Sequence, residues 1–524
     1  MISAIPHLMR LARVGFVFAR EGVFALVDTR PLPPPAKWMI ALLRLIERRS
    51  AGESSSRLSA ALTRLGPTYV KLGQFLATRP DVVGTAIALD LESLQDSLPP
   101  FPHDVAEAAI AAALGKPVKE VYASFGPAVA AASIAQVHRA EVELEDGTRK
   151  PVAVKVLRPG IEGRLKTDLN AFYFVARKAE EMSPEAQRLR LTEVVATLDR
   201  SVAIEMDFRL EAAAASEMAQ NTRDDPGFRV PTVDWDRTAR EVLTLEWIDG
   251  TKLNDRATLA AKGFDLPGLG RTVIQSFLRQ ALRDGFFHAD MHPGNLFVDD
   301  DGKLVAVDFG IMGRLGPKER RFLAEILFGF ITRDYMRTAQ IHFDAGYVPH
   351  HHSVESFAQA VRAIGEPIHN RTAEDISMAK LLTLLFEVTA LFDMRTRPEL
   401  LLLQKTMVVV EGVARALDPR LDMWKTADPV VREWIARNLG PLGKLEDVAQ
   451  GAGVIGKFLG EVPALLSRTG TLFDQIDEAT RHGLVLSPGT VEAIGRAEAR
   501  RNRGTVTALW VIAALLAWIA WLVW

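Results

Sequence analysis

Two short polar motifs near the middle of the chain restrict its fold more than any other feature. The first runs from His288 to Asn295 (HADMHPGN), and the second runs from Asp308 to Gly310 (DFG). Between them, two apolar runs flank an Asp-Asp-Asp-Gly turn, which predicts a short hairpin. We expect this hairpin to bring Asn295 and Asp308 to one edge, near Asp290. An amide oxygen and a carboxylate are ligands that Mg²⁺ prefers.

The order and spacing of these residues favour phosphoryl transfer. The step from Asp290 to Asn295 equals that in the catalytic loop of protein kinases, and an Asp-Phe-Gly triplet follows in the same order. Such chemistry needs a carboxylate near the attacking oxygen and metal ligands near the phosphates. We predict that Asp290 is the catalytic base, that Asn295 and Asp308 bind Mg²⁺, and that the nucleotide is ATP or ADP. An acidic turn with a capping histidine is the ordinary alternative.

A lysine upstream of these motifs has an unusual setting. Lys155 ends the apolar strand-like run VAVK, and a buried ammonium group needs a phosphate or a carboxylate partner. We predict that Lys155 contacts the nucleotide phosphates as a catalytic residue and that Glu205 orients it. Asp207 and Glu211 share the same predicted helix, so the pairing is open between them, and Asp207 is a further candidate for the metal site.

The segment before the lysine strand is rich in alanine where a kinase has a glycine-rich phosphate loop. Methyl groups restrict the backbone and its approach to phosphate more than glycine does. An ordinary helix-to-strand junction is the alternative. We predict that this segment is a modified nucleotide loop. We also predict that Glu246, in a later strand, binds the nucleotide. The candidate nucleotide-binding residues here are Ala130, Ala131, Ala132, Ser133, Ile134, Ala135, Gln136, Val137, His138 and Glu246.

Composition excludes several classes of site and partner. The chain has no cysteine, which excludes disulfides, thiolate metal sites and a cysteine nucleophile. Its formal net charge of −2 argues against a nucleic-acid partner, which usually needs a basic face. The N-terminal apolar residues are interrupted by Arg10, Arg13 and Arg20, so they do not predict a signal peptide. They fit an amphipathic helix better than a mitochondrial transit peptide.

The C-terminal segment Thr505–Trp524 carries no charge and four tryptophans. Twenty apolar residues are long enough to cross a bilayer of about 30 Å, and tryptophans favour its interfaces. Arginines just before the segment would hold the rest of the protein on the cytoplasmic side. We therefore predict a single-pass C-terminal anchor in a bacterial cytoplasmic (inner) membrane, with a buried or interfacial helix as the alternative.

The pattern along the chain predicts an α+β protein with a two-lobed, protein-kinase-like fold, an N-terminal helical extension and a C-terminal transmembrane helix. Strand signals cluster at 133–157 and 230–246, and helical signals dominate elsewhere. The predicted divisions are the extension (1–110), the small lobe (111–248), the large lobe (249–440), a helical region (441–504) and the transmembrane helix (505–524).

With these motifs in place, the chain resembles the UbiB/ADCK family of atypical kinases, and bacterial UbiB most of all. Lys71-Leu-Gly-Gln74 is similar to the family's KxGQ motif, and Glu205-Met-Asp207 is similar to its ExD motif. The alanine-rich loop and the two central motifs complete the set. The resemblance is strong over residues 60–320, while the flanks match mainly in helical character.

This resemblance implies a role in ubiquinone biosynthesis, as an ATPase or as a lipid or small-molecule kinase at the membrane. It also implies contacts with membrane lipid or polyprenylated quinone precursors and with other ubiquinone-biosynthesis proteins. In the family, the KxGQ segment packs over the active site, which would place Lys71 and Gln74 near the nucleotide phosphates. Read from the residues alone, Lys71 is an ordinary solvated lysine.

The residues after Gly310 bear on the substrate. A helical pattern begins near Pro317, which leaves little room for the segment with which conventional kinases bind peptides. We therefore expect a small-molecule or lipid substrate, or ATP hydrolysis coupled to a conformational change. Two alternatives are open: a phosphotransferase of the aminoglycoside or choline kinase type, and a nucleotide-binding pseudokinase scaffold that presents lipid intermediates.

Overall fold

The computed structural model describes residues 5–25, 47, 56–77, 80–84, 87, 90–91, 94, 99–182, 184–368, 388–389, 391–394 and 398–439. The strands in these ranges are β1 (Ser124–Ala131), β2 (Ala135–Glu143), β3 (Arg149–Leu157), β4 (Phe228–Arg229), β5 (Val242–Glu246), β6 (Gly250–Lys252), β7 (Phe286–His288), β8 (Leu296–Asp299), β9 (Leu304–Ala306) and β10 (Met312–Arg314). The α-helices are α1 (Ile5–Arg20), α2 (Ser56–Leu65), α3 (Pro67–Ala77), α4 (Pro80–Val83), α5 (His103–Leu114), α6 (Val118–Val121), α7 (Ile161–Met182), α8 (Pro184–Leu189), α9 (Leu191–Glu205), α10 (Phe208–Asn221), α11 (Arg256–Ala261), α12 (Leu266–Arg279), α13 (Pro317–Thr332), α14 (Tyr335–Asp344), α15 (Val354–Ile368), α16 (Pro398–Leu417) and α17 (Met423–Leu439). Apart from the end of α17, these elements lie in the unit formed by residues 1–436.

The small lobe is built around an antiparallel sheet with the strand order β1-β2-β3-β5. Val152 and Val154 of β3 belong to an apolar cluster on one face, shared with α5. Leu157 belongs to a second cluster on the other face, shared with α7, α9 and α10. Successive side chains of a strand point to opposite faces, so Lys155 lies on the same face as Leu157. This register places the lysine on the side of the helices.

The helix predicted over residues 191–221 is in fact two helices. The first, α9, ends at Glu205, and α10 begins at Phe208. The side chain of Asp207 accepts a hydrogen bond from the backbone N–H of Arg209 and so caps α10. Aspartate is among the residues preferred at this position because its carboxylate satisfies an otherwise unpaired N–H. The acidic residues of this segment therefore do not share one continuous helix.

The second sheet has the order β4-β9-β8-β6. The predicted hairpin of β8 and β9 is confirmed, with an antiparallel register that pairs Leu296 with Ala306. The strand signals at 230–246 include a short antiparallel contact: Val233 bridges to Leu245, the N–H of Asp234 donates to the oxygen of Thr244 at 2.9 Å, and that of Glu246 donates to the oxygen of Thr232 at 2.8 Å. The chain just before it, β4, pairs in parallel with β9. Pro231 lacks a backbone N–H, which limits regular pairing at this point.

The N-terminal helices are attached to the small lobe through α7. The ring of Tyr69 in α3 meets the ring of Phe172 edge-on, with centroids 5.2 Å apart. The two carboxylate oxygens of Asp168 accept hydrogen bonds from Arg10 at 2.5 Å and from Thr68 at 2.7 Å. Apolar packing and a shared carboxylate thus hold the extension against the lobe.

The predicted transmembrane helix requires a correction of the fold class and of the localisation. No helix in the described part of the chain is both long enough and apolar enough to cross a membrane. The segment 505–524, on which the prediction rested, lies outside the described residues. The described part of the fold therefore has no membrane-spanning helix, and the predicted single-pass anchor in a bacterial inner membrane is not supported.

Candidate functional site

Three charged side chains meet where the small lobe faces the β8–β9 hairpin. Nζ of Lys155 lies 2.8 and 3.0 Å from the two carboxylate oxygens of Glu211. The same ammonium donates to Oδ1 of Asp308 at 3.0 Å. Glu211 is buried and Lys155 nearly so, whereas the side chain of Asp308 is 49% exposed. One cation thus joins two carboxylates, one from α10 and one that follows the hairpin.

The cluster places one ammonium group beside two carboxyl groups, and these charges act together with burial on the pKa of each group. Burial opposes the charge of Lys155, but Asp308 and Glu211 together raise its pKa well above the usual range. Lys155 in turn holds the pKa of Asp308 well below its usual range, with a smaller effect from Lys71. Burial raises the pKa of Glu211 to about 7, and the charge of Asp308 adds to this rise, whereas Lys155 opposes it. Asp308 therefore stays ionised at neutral pH, and Glu211 is the carboxylate that titrates.

The partner of Lys155 is Glu211, and the predicted partner Glu205 makes a different contact. Oε2 of Glu205 lies 2.6 Å from Nζ of Lys71, and both side chains are largely buried. Glu205 ends α9, before the break in the helix, and this separates it from α10. Glu211 was identifiable from its spacing: it lies on the buried stripe of α10 with Phe208 and Ala212. An acidic residue within an apolar helical stripe indicates a buried charge that needs a partner.

The loop after β7 is held by its own side chains. His288 is buried, and burial lowers its pKa. Its Nδ1 accepts from the backbone N–H of Asp290 at 3.1 Å. Nδ2 of Asn295 donates to the backbone oxygen of Asp290 at 3.1 Å and to its Oδ2 at 3.2 Å. A buried hydroxyl from α16, that of Thr406, donates to the oxygen of Ala289 at 3.1 Å. These bonds fix the carboxylate of Asp290 beside the amide of Asn295.

The β8–β9 hairpin brings the second motif to this loop. The backbone N–H of Val307 donates to the oxygen of Asn295 at 2.9 Å, so the residues that flank the hairpin meet as predicted. The next residue, Asp308, has a φ of 64°, a left-handed conformation that residues with a Cβ rarely adopt. Such strain is commonly found at functional sites. It turns the chain just where the carboxylate meets Lys155.

The alanine-rich segment forms the end of β1 and a tight turn into β2. The N–H of Ala132 donates to the oxygen of Ala135 at 2.8 Å, and Ala130 pairs with Val137. Val137 lies opposite Lys155 in the register of β2 and β3. This segment is a strand and a turn, so the alternative of a helix-to-strand junction is wrong. Ala131 ends β1, and Ser133 and Ile134 lie in the turn before β2.

Two predicted nucleotide-binding residues face away from Lys155. Gln136 exchanges hydrogen bonds with the backbone of Phe101, and its Nε2 lies 2.9 Å from Nε2 of His138. Nδ1 of His138 lies 2.9 Å from the oxygen of Gly126. Both side chains are fully buried between the sheet and α5. Their polar atoms connect the sheet to the segment before α5 and do not face the Lys155 cluster.

Two further predicted residues, Glu246 and Asp207, have arginine partners. Glu246 accepts from Nη1 of Arg229 at 3.0 Å, and it also accepts from the backbone N–H of Thr232 at 3.1 Å. Asp207 binds the guanidinium of Arg209 through both oxygens, and this contact lowers its pKa. Neither carboxylate lies within the Lys155 cluster.

Helix α3 carries Lys71 and Gln74, the residues predicted to lie near the nucleotide phosphates. Lys71 lies one turn before Gln74, and the contact of Lys71 with Glu205 ties the N-terminal extension to the end of α9. The positive charge of Lys71 makes a small contribution to the low pKa of Asp308. The close fit of α3 depends on Gly73, where a Cβ would approach Leu62 to 2.7 Å.

The segment after Gly310 is short and ordered. It forms β10, which pairs with β7, and α13 begins at Pro317 as predicted. Arg314 of β10 binds both oxygens of Glu217 in α10, at 2.9 and 2.5 Å. This ion pair connects the segment to the helix that carries Glu211.

Comparisons with known proteins agree with this geometry. Residues 93–342 match the ABC1 atypical kinase-like domain, and residues 361–422 match the UbiB helical domain. The probable protein kinase UbiB of Marinobacter nauticus is 40% identical over 85% of this chain and 82% of its own length. That of Azotobacter vinelandii is 39% identical, over 89% and 87% respectively.

A solved structure supports the kinase-like fold. The structure of the Rv3197–erythromycin complex from Mycobacterium tuberculosis has a TM-score of 0.51 and 25% identity. The alignment covers 76% of this chain and 98% of the chain in that complex. Two matching domain models and two relatives that align over most of their length show the family. The chain belongs to the UbiB family of atypical kinases.

Proposed function

We propose that this atypical kinase binds ATP with Mg²⁺ and uses it, by phosphate transfer or hydrolysis, in support of ubiquinone biosynthesis. The observation that carries the proposal is the cluster of Lys155, Glu211 and Asp308 beside Asp290. A nearly buried ammonium group held by a buried glutamate is positioned to contact phosphate oxygens. Family membership supports the link to ubiquinone.

Asn295 and Asp308 are the proposed ligands of Mg²⁺. Asn295 uses Nδ2 for both of its bonds to Asp290, which leaves its amide oxygen as the ligand atom. The low pKa of Asp308 keeps its carboxylate ionised, as a magnesium ligand must be. When bound, the ion would offset the negative charge of the phosphates. Because Asp308 now contacts Lys155, nucleotide and metal binding require this contact to loosen.

Asp290 is the proposed base or orienting group for the attacking oxygen. Its side chain is 42% exposed, and the bond from Asn295 fixes one of its oxygens. An accessible carboxylate with a fixed orientation suits general base catalysis. His288 supports it only indirectly, through the backbone N–H of Asp290.

The proposed partners are polyprenylated quinone precursors and other proteins of ubiquinone biosynthesis. The short connection between Gly310 and α13 favours a lipid or small-molecule substrate over a peptide, because it leaves no long peptide-binding segment. The contact between Lys71 and Glu205 supports a role for the KxGQ helix as a cover of the site.

The proposal is tested with Asp308→Asn and with a control on the same hairpin, Asp301→Asn, which changes an exposed turn residue. We expect Asp308→Asn to abolish Mg²⁺-dependent ATP turnover and to leave the fold intact. Cells that carry it in place of the wild type should accumulate prenylated quinone intermediates. The Asp301→Asn protein should keep wild-type ATP turnover and should support quinone synthesis in these cells.

Unchanged ATP hydrolysis in the Asp308→Asn protein would contradict the proposal. A different result separates catalysis from binding. If Asp290→Asn abolishes turnover but restores quinone synthesis, the protein acts as a nucleotide-binding scaffold and the chemistry of Asp290 is dispensable.

A further inference from the structure

A group of side chains far along the chain from the catalytic motifs has the composition of a transition-metal site. His351, His352 and Asp393 bring together two imidazoles and one carboxylate, whose ligand atoms lie within 4.8 Å of one another. Nε2 of His352 lies 3.3 Å from Oδ2 of Asp393, and Nε2 of His351 lies 3.6 Å from the same oxygen. One nitrogen from each imidazole therefore lies within 3.6 Å of the same carboxylate oxygen.

The separations fit one ion better than they fit tight hydrogen bonds. Around a tetrahedral ion with bonds of about 2.0–2.1 Å, two ligand atoms lie about 3.3–3.4 Å apart. The two distances from Asp393 lie at or close to this value, whereas a good N–H···O bond is about 2.9 Å long. Small side-chain movements would complete the geometry and leave a fourth position for water.

The two histidines are held at the start of a helix. They directly precede Ser353, whose Oγ accepts from the backbone N–H of Ser356 at 3.0 Å and caps α15. The N–H of His352 donates to the oxygen of Pro349 at 3.2 Å. The backbone under both imidazoles is therefore fixed by a turn and a helix cap.

The carboxylate is held at the end of a helical turn. The N–H of Met394 donates to the oxygen of Thr389 at 3.0 Å, a bond typical of a helix end closed by a left-handed residue. That residue is Asp393, with a φ of 47°. Aspartate tolerates this conformation better than most residues with a Cβ, but it is still unfavourable. The turn presents the carboxylate to the histidines.

Aromatic packing orients one imidazole. The ring of His352 lies 5.2 Å from that of Phe392, which is buried against Phe357 with ring centroids 5.0 Å apart. The ring of His351 lies 4.1 Å from that of His352. The site therefore rests on an apolar cluster, which restricts the freedom of its best-buried ligand.

We propose that His351, His352 and Asp393 bind one divalent transition-metal ion of the zinc class. Two imidazoles and a carboxylate suit Zn²⁺ and its neighbours better than Mg²⁺ or Ca²⁺, which prefer oxygen ligands alone. The histidines lie between the two regions that match family models, and Asp393 lies within the second. The ion would link segments 41 residues apart and brace the connection from the kinase-like domain to the helical domain.

The test uses the full-length protein, purified without a polyhistidine tag, treated with chelator and titrated with Zn²⁺ in excess Mg²⁺. We expect one saturable site by calorimetry and a thermal midpoint that rises with Zn²⁺ concentration. His352→Ala and Asp393→Asn should each weaken binding at least about tenfold, because even residues that only support metal ligands contribute about 10–100-fold. In chelator, the thermal midpoint of the Asp393→Asn protein should equal that of the wild type, because the Asp393 side chain is largely exposed.

The matched control is His350→Ala, which removes the neighbouring histidine that is not part of the cluster. It should bind Zn²⁺ as the wild type does. If His350→Ala weakens binding as much as His352→Ala, or if Asp393→Asn binds normally, the histidines act as a non-specific tract and the proposal is wrong. Absence of a saturable site in the wild type would overturn it too.

Discussion

The ion pair of Lys155 with Glu211 and the ion pair of Lys71 with Glu205 differ in the elements that they join. The ammonium group of Lys155 contacts the carboxylates of both Glu211 and Asp308, and the ammonium group of Lys71 contacts Glu205 at the end of α9. The first pair joins β3 to α10 and, through Asp308, to the chain after the β8–β9 hairpin, and the second joins the N-terminal extension to α9. We therefore expect the proposed nucleotide site to depend more on Lys155, which reaches Asp308, than on Lys71.

The strongest test of this comparison replaces each lysine by methionine. Lys155→Met leaves two carboxylates without their cation, and breaking a buried pair costs about 3–5 kcal/mol. It should also lower ATP turnover by about 10²–10³-fold, the usual loss when one electrostatic contact to the reacting groups is removed. Lys71→Met should cost about 1.5–3 kcal/mol, as for a hydrogen bond to a charged group.

Urea unfolding and steady-state ATP hydrolysis measure the two effects on the same proteins. The informative result is which of the two variants loses more ATP turnover and more stability. If Lys71→Met lowered turnover as much as Lys155→Met, both pairs would belong to the phosphate site and the distinction would fail.

The second test uses pH, because burial raises the pKa of Glu211 to about 7. As the pH falls through this value, Glu211 takes up a proton and loses its charge. Lys155 is then compensated by Asp308 alone, which holds that carboxylate away from a metal ion. We therefore expect ATP turnover to fall as the pH drops from 8 to 6, with a midpoint at about 7.

Two variants separate the pairs in this experiment. Glu211→Gln should lower turnover and remove the acidic limb of the profile, because it removes the titrating group. Glu205→Gln should keep the limb. A wild-type profile that is flat across this range would show that Glu211 does not control the site.

The smallest expected effect concerns the two faces of the small-lobe sheet. His138 faces α5, away from Lys155, so His138→Ala should leave the KM for ATP within about twofold of the wild type. It should still lower stability by about 1–3 kcal/mol, because the removed ring leaves buried polar partners unsatisfied. Thermal unfolding and ATP kinetics provide the two readouts. A large change in KM would place the far face of the sheet in the nucleotide site.

Much of the candidate site was predictable because its residues are close in sequence. The loop from His288 to Asn295 and the triplet at Asp308 flank a short hairpin, and local turn chemistry is enough to bring them together. The same holds for the strand that carries Lys155, which follows a glycine turn. Local pattern also predicted the start of α13 at Pro317.

The parts that were wrong depend on contacts between distant segments. The sequence leaves the partner of Lys155 open among the acidic residues of one predicted helix and favours Glu205, whereas the structure has two helices and places Glu211 against Lys155. The N-cap at Asp207 signalled the break, but only packing shows that Glu211 faces the sheet. Gln136 and His138 adjoin the alanine-rich loop in sequence, but alternate residues of a strand face opposite sides, and these two lie on the face opposite to Lys155.

Residue identity and short spacing were enough to predict the kinase-like motifs, their order and the family, and they exclude thiol chemistry because the chain has no cysteine. The partner of each lysine, and the approach of His351 and His352 to Asp393, could be read only from the folded chain. Ion pairs and metal sites depend on distances of a few ångströms between segments far apart in the chain. Periodicity and motif spacing do not specify those distances.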